Sequence, residues 1–282
     1  MNKPLAFLLL FGISTAFLNI NLPSFDKKIL KEDLPYLLDF YKKRHQNPEL
    51  SLHEKETAAD LAVELRKAGF EVTESFGGHG IVGILKNGEG PTILYRTDMD
   101  ALPMEEKTKL PYASEKTVEK DGQKVGAMHS CGHDMHMTTL LGTARAMSKI
   151  KDKWKGTLML IGQPAEELGK GAKMMIDEGL YQKFGVPDYG IGLHCSPTIP
   201  AGQVGFGSGY TMANTEMIDI KIHGVGAHGA SPHQSIDPVV LASMMVMELQ
   251  ICSTLIQTTT VARMPTKQAP PQTKRRITNS QM

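Results

Sequence analysis

Apolar residues recur every three or four positions through LPYLLDFYKKRH and again through HEKETAADLAVELRKAGF. The stretch from Phe25 to Phe70 therefore reads as two helices, the second stopping at Gly69. The period then changes. Short apolar runs bounded by glycine or proline, GIVGILK, PTILYRTDMD, GTLMLIGQPAEE and YGIGLH, read as strands, with the helix-like stretches TTLLGTARAMSKI and GAKMMIDEGL between them. Strands alternating with helices predict an α/β domain on a parallel or mixed sheet. Polar residues close these runs: Asp98 and Asp100 the second, Glu166 and Glu167 the third, His194 the fourth. Ligands of open α/β sheets bind outside the carboxyl ends of strands, so these separate segments are candidates for one site.

After GQVGFGSGY the character shifts. NTEMIDIKIHG alternates as a half-buried strand, VGAHGASPHQS reads as a loop, and IDPVVLASMMVMELQ as a helix with Pro238 in its first turn, the expected start of a second domain. The last 31 residues hold five basic residues, no acidic ones, three prolines and seven threonines, and read as a disordered tail. At the other end, one lysine precedes an apolar run from Leu5 to Leu18. That run is too short for a comfortable membrane span and reads as a secretory signal cleaved after Ala16. The expected location is periplasmic or extracellular, with membrane contact only through an uncleaved leader.

With 282 residues, 41% of them apolar, the chain can bury a sizeable core. Thirty-one basic against thirty acidic residues create no field that would gather nucleic acid or an anionic membrane, so a small molecule is the expected partner. Three cysteines cannot make a disulfide framework, although a bridge between Cys131 and Cys195 stays open in an oxidising compartment.

The densest chemistry is MHSCGHDMH, residues 128 to 136, which concentrates donors in a chain with only ten histidines. Cys131 and His133 stand two apart and do not share a helix face, so both reach one ion only from a turn or strand end. The apolar run after Met137 suggests a helix beginning there, with Asp134 either capping it or bracing a ligating histidine. On these residues alone a metal site and a buried thiol beside a capped helix both stand. Adjacent Glu166 and Glu167 at a strand end point in different directions, so one carboxylate can ligate a metal while the other faces water. His194 is either a ligand or a satisfied core histidine. Cys131 or Cys195 as a nucleophile lacks an orienting third group. Gly224 to Gly229, GVGAHG, has the spacing of a dinucleotide-binding turn, but Pro232 separates it from the following helix.

YRTDMDALPMEE, MHSCGHDMH, GQPAEELGKGAKMMIDEG, GLH and GVGAHGASPHQSIDPV, in this order from about Leu34 to Gln250, together resemble the M20 metallopeptidase family. The likeness is to its amidohydrolase branch of hippurate hydrolases, N-acyl-amino-acid deacylases and auxin-conjugate hydrolases. The resemblance implies a mixed-sheet, zinc-peptidase-like catalytic domain over residues 25–208 and a partial α/β lid or dimerisation domain over 209–251. It further implies two divalent ions (zinc, manganese, nickel or cobalt) with Cys131, His133, Glu167 and His194 as ligands. Glu166 would be the general base that activates water. Asp100 and Asp134 would support the ligands from behind, and His228 would be a lid histidine serving the site of a partner subunit. His129 and His136 receive no role. The implied reaction is amide hydrolysis of N-acyl amino acids or small peptides, in a homodimer joined through the lid.

The family's lid continues and returns to the catalytic domain, supplying a late histidine ligand. Here no histidine follows His233, and motif resemblance stops near Gln250. A truncated chain is expected, with residues 252–282 outside the family sequence. The resulting alternatives are an impaired fragment that still binds metal and an exported non-enzyme with a Cys131–Cys195 bridge.

Overall fold

The helical spacing at the start becomes α1 (Lys27–Gln46) and α2 (Lys55–Lys67), followed by strands β1 (Glu71–Thr73), β2 (Ile81–Asn87) and β3 (Thr92–Asp98). A hairpin, β4 (Thr117–Lys120) with β5 (Gln123–Gly126), leads to α3 (His133–Lys149), β6 (Gly156–Gln163), α4 (Gly171–Asp177), α5 (Leu180–Phe184) and β7 (Tyr189–Gly192). α6 (Pro238–Ala262) completes the chain order. This computed structural model describes residues 27–206 and 218–262; the expected leader lies outside the described residues. The chain divides after Pro200 into two units.

The first unit holds a five-stranded mixed sheet in the order β1-β2-β6-β3-β7. β6, β3 and β7 run parallel, while β2 is antiparallel to β1 and β6. Alternation along the strands explains their near-continuous apolar sequences. Ile81 and Leu85 of β2, Tyr95 of β3, and Leu158 and Leu160 of β6 face one way, packing with Leu61 and Leu65 of α2 and Leu140 and Leu141 of α3. Val82, Leu94, Met159 and Ile161 face the other way, onto Met175 of α4 and Leu180 of α5. A sheet covered on both faces has no use for a polar stripe. Each fully buried leucine contributes about 1.5–3 kcal/mol, set against the cost of ordering the chain.

α1 is fixed to its neighbours by charge as well. Arg44, buried, pairs with Asp60 of α2, and Lys43 reaches the same carboxylate at 2.7 Å. His45 at the end of α1 joins Asp134 of α3 through Nδ1 at 2.7 Å and Glu106 through Nε2 at 3.0 Å.

Several expectations need revision. α3 begins at His133, not beyond Met137, because Gly132 at φ 82° turns the chain directly into it. Residues 218–224 of the expected strand NTEMIDIKIHG form none; Val225 and Ile236 make only an isolated bridge, and a strand without a neighbour leaves its backbone groups unpaired. α6 continues to Ala262, well into the segment read as disordered, since no proline interrupts it before Pro265. Three-residue β1 and the β4–β5 hairpin were not expected. Among the described residues no helix is long and apolar enough to cross a membrane.

Burial alone would lower the His45 pKa, but the hydrogen bonds and charges of Glu106 and Asp134 outweigh it and raise the value above 6.5. A raised folded pKa contributes stability that is complete below the unfolded value and fades as pH climbs through the folded one. Urea unfolding from about pH 6 to about pH 9 is expected to show the unaltered chain losing part of its advantage over His45→Gln. An advantage that holds constant over that range counts against a charged His45.

Candidate metal centre

Three parallel strands end on one side of the sheet. Asp98 closes β3 and Asp100 follows, β6 leads through Pro164 into Glu166 and Glu167, and β7 leads to His194. The α3 N-terminus brings Cys131 and His133 to the same place. Donor atoms of Cys131, His133 and His194 lie within 4.8 Å of one another, as do those of His133, Glu166 and Glu167.

His133 is the residue common to both groups and is fully buried. Its Nδ1 donates to the Asp100 carbonyl oxygen at 2.7 Å, so that in the neutral ring the Nε2 lone pair is free. That Nε2 is buried without a hydrogen-bond partner. Around it stand Asp98 Oδ2 at 3.6 Å, Glu166 Oε2 at 3.7 Å and Glu167 Oε1 at 3.8 Å, all too far for hydrogen bonds. Glu167 Oε1 is likewise buried and unpartnered.

His194 donates from Nδ1 to the Cys195 carbonyl at 2.7 Å, turning Nε2 toward Cys131 Sγ at 3.2 Å. Burial first, and then the Glu167 carboxylate beside it, push the Cys131 thiol up to about 12. A protonated thiol donating to His194 follows. Cys131 and Cys195 are free thiols, so the disulfide expected as an alternative is not formed. The Cys131 side chain faces His194 instead.

His136 resembles a third donor but is spent. Its Nδ1 donates to Asp98 Oδ1 at 2.7 Å, and its Nε2 accepts the Cys195 N–H at 2.8 Å. Burial raises the Asp98 carboxyl, yet the His136 hydrogen bond and the Arg96 charge prevail and hold it at about 2. Arg96 also donates to Gln163 at 2.9 Å, tying the ends of β3 and β6 together. Glu167 shifts upward through burial and the nearby Glu166 and Asp100 charges, although His133 opposes this.

The loop carrying the two glutamates is tightly specified. Ala165 sits at φ 46°, a conformation that costs an L-residue roughly 1–2 kcal/mol. Gly171, just past the turn, has no room for a side chain: a Cβ there would lie 1.5 Å from the Pro164 oxygen. Asp100 accepts the Glu167 N–H at 3.0 Å and the Ser51 hydroxyl at 2.6 Å through one oxygen.

The structure thus brings Cys131, His133, Glu166, Glu167, His194 and Asp100 together. Among the described hydrogen bonds Asp134 reaches no candidate ligand: its carboxylate holds His45 and the Met135 N–H, while the Asp100 carbonyl orients His133. His228 lies exposed in the second unit, its Nδ1 accepting the Ala230 N–H at 3.1 Å. Sequence reasoning marked Asp98 as a strand-ending candidate without giving it a role, left His136 unassigned, and missed Arg96. His129 is 5% exposed with both ring nitrogens unpartnered, and burial with neighbouring positive charge pushes it down to about 3.

A thiolate with imidazoles and carboxylates suits a divalent transition metal, and three protein ligands with an open position are the usual catalytic pattern. The bare, buried atoms His133 Nε2 and Glu167 Oε1, with Asp100 Oδ1 beside them, make the same case from within the structure.

Residues 94–275 match the family described as Peptidase family M20/M25/M40, a match that runs past Gln250. The N-acetyl-L-cysteine deacetylase of Bacillus subtilis is 42% identical over 73% of this chain and 47% of its own length. The hippurate hydrolase of Campylobacter jejuni is 40% identical over 77% and 56%. A solved dinuclear metal-binding peptidase of the M20 family from Bacillus subtilis superposes with TM-score 0.53 at 33% identity, covering 62% of this chain and 45% of that one. The chain therefore has the mixed-sheet fold of M20 catalytic domains and spans about half the length of the curated relatives it matches.

At pH 8 a thiol with a pKa near 12 is only about one part in ten thousand thiolate, the reactive form. Alkylation of Cys131 in the metal-free chain is expected to run more than about a hundredfold slower than after denaturation. Glu167→Gln, which removes the adjacent charge, should speed it. Mass spectrometry of the labelled peptide gives the rate, and equal rates in both variants would remove Glu167 as a cause.

Proposed function

Because the chain belongs to peptidase family M20/M25/M40, we propose that it forms the metal-binding part of an amidohydrolase acting on N-acyl amino acids or small peptides. The observation that carries this reading is the pair of bare, buried donors, His133 Nε2 and Glu167 Oε1, enclosed by Cys131, His194 and Glu166. Cys131, His133, Glu167 and His194 are the proposed ligands of two divalent ions, drawn from zinc, manganese, nickel and cobalt. Bound ions of this kind polarise an amide carbonyl and make water more acidic.

The chain's own residues then divide the remaining work. Glu166 is more exposed than Glu167 and His133, and there it takes a proton from water and returns it to the leaving amine. The Asp100 carbonyl fixes the His133 tautomer, and the Asp100 carboxylate holds the backbone of Glu167. A part for His228 in holding the oxyanion, and a homodimer through the second unit, rest on the sequence motif. Export rests on the apolar leader. The names of the deacetylase and hippurate hydrolase relatives denote N-acylated amino acids, which supports the substrate class.

A second reading has this chain binding metal without turnover. Glu166→Gln separates the roles. It is expected to retain metal, read by elemental analysis, while hydrolysis of N-acetyl and N-benzoyl amino acids falls by about 10²–10⁴-fold. Undiminished turnover would refute Glu166 as the base, and metal binding with no turnover in the unaltered chain supports the second reading.

A further inference from the structure

The turn between α1 and α2 supplies an unusual acceptor. Glu54 stands at the N-cap of α2, where a side chain normally serves the helix's own N–H groups, yet it makes no capping bond. Glu49 does that work, its Oε2 accepting the Thr57 N–H at 2.7 Å. Glu54, fully buried, instead reaches 111 positions along the chain, and its Oε1 accepts the Ala165 N–H at 2.7 Å. Its Oε2 is buried without a partner.

Ala165 is the residue at φ 46°, immediately before Glu166 and Glu167. The other bonds that hold its turn are local or come from Asp100. The Ala165 carbonyl accepts the Lys170 and Gly171 N–H groups, both at 3.2 Å, and the Glu166 carbonyl accepts Gly169 at 2.7 Å. None of these fixes the peptide entering Ala165, the one whose rotation would release the left-handed conformation. Glu54 alone among the described hydrogen bonds holds that N–H. Relaxation at Ala165 would swing both glutamates away from His133.

We propose that Glu54 is a positioning residue: its buried carboxylate, bonded to the Ala165 N–H, sets the turn that presents Glu166 and Glu167 to the metal centre. The inference rests on the metal reading proposed above and adds a residue to it from the helical layer of the fold.

The probe is cobalt(II), titrated into the metal-free full chain and followed by its visible and thiolate charge-transfer absorption, with thermal melts alongside. Glu54→Ala is expected to weaken cobalt binding about 10- to 100-fold, as loss of a group supporting a ligand does. Glu54→Gln keeps an acceptor oxygen and should bind within a few-fold of the unaltered chain. Glu54→Asp, which withdraws the carboxylate by one methylene and preserves charge, should fall between them, and it carries the test if Glu54→Ala does not fold. Adding Ala165→Gly to either weakened variant makes the left-handed turn accessible without strain and should recover part of the lost affinity. A general loss of stability would not be repaired in this way. The proposal is overturned if folded Glu54→Ala or Glu54→Asp binds as tightly as the unaltered chain, or if the glycine recovers nothing. Failure of the unaltered chain to show a cobalt–thiolate band that Cys131→Ser abolishes would overturn the metal reading itself, and this inference with it.

Discussion

A buried histidine that donates from one ring nitrogen and leaves the other bare is the constraint on which the rest of the site depends. His133 achieves this because the β3 strand end places the Asp100 carbonyl against Nδ1, and because Gly132 turns the chain so that α3 starts at His133 itself. An aqueous histidine would satisfy both nitrogens at no cost. Here Nε2 is desolvated and unmatched, a state that costs about 1–3 kcal/mol unless something occupies it. Apolar packing of α3 against the sheet, through Leu140 and Leu141, provides the rigidity that sustains such an arrangement.

Charge supplies the second constraint. Asp98, Asp100, Glu166 and Glu167 crowd around one imidazole, and only Arg96 brings a permanent positive charge among the described ion pairs at that strand end. Asp98 is compensated by Arg96 and His136 and stays ionised, whereas Glu167 and the Cys131 thiol are pushed toward their neutral forms. The contrast separates supporting groups from candidate ligands: residues with hydrogen-bond partners hold the frame, and those left electrostatically frustrated face its centre. A divalent cation is the simplest species that would relieve all of them at once.

Much of this was legible in the chain. Strand-ending polar residues, at Asp98, Asp100, Glu166, Glu167 and His194, announced convergence because a covered parallel sheet allows polarity only at its ends. What escaped the sequence depends on tertiary partners. His136 and His133 look equivalent in MHSCGHDMH, and only the Asp98 carboxylate and the Cys195 N–H distinguish the spent ring from the open one. Asp134 has the spacing of a brace, but His45 competes for it from 89 positions away. NTEMIDIKIHG alternates as a strand should, yet its described residues, 218–224, form none, because alternation describes two faces and cannot provide a neighbour with which to pair.

The turn at Ala165 joins these themes. Two adjacent carboxylates reach one centre only if the backbone leading into them is held in a sharp conformation, and an alanine does not favour one on its own. The fold holds it through distant acceptors: Asp100 from the neighbouring strand takes the Glu167 N–H, and Glu54 from the helical layer takes the Ala165 N–H. Both acceptors are buried carboxylates whose placement depends on the α1–α2 turn, where Ser51 donates to Asp100 and Glu49 relieves Glu54 of capping. The region that looks most purely structural in sequence, two amphipathic helices and their connection, therefore specifies the geometry of the metal centre. Changes there should reach the site through two backbone N–H groups without touching a ligand.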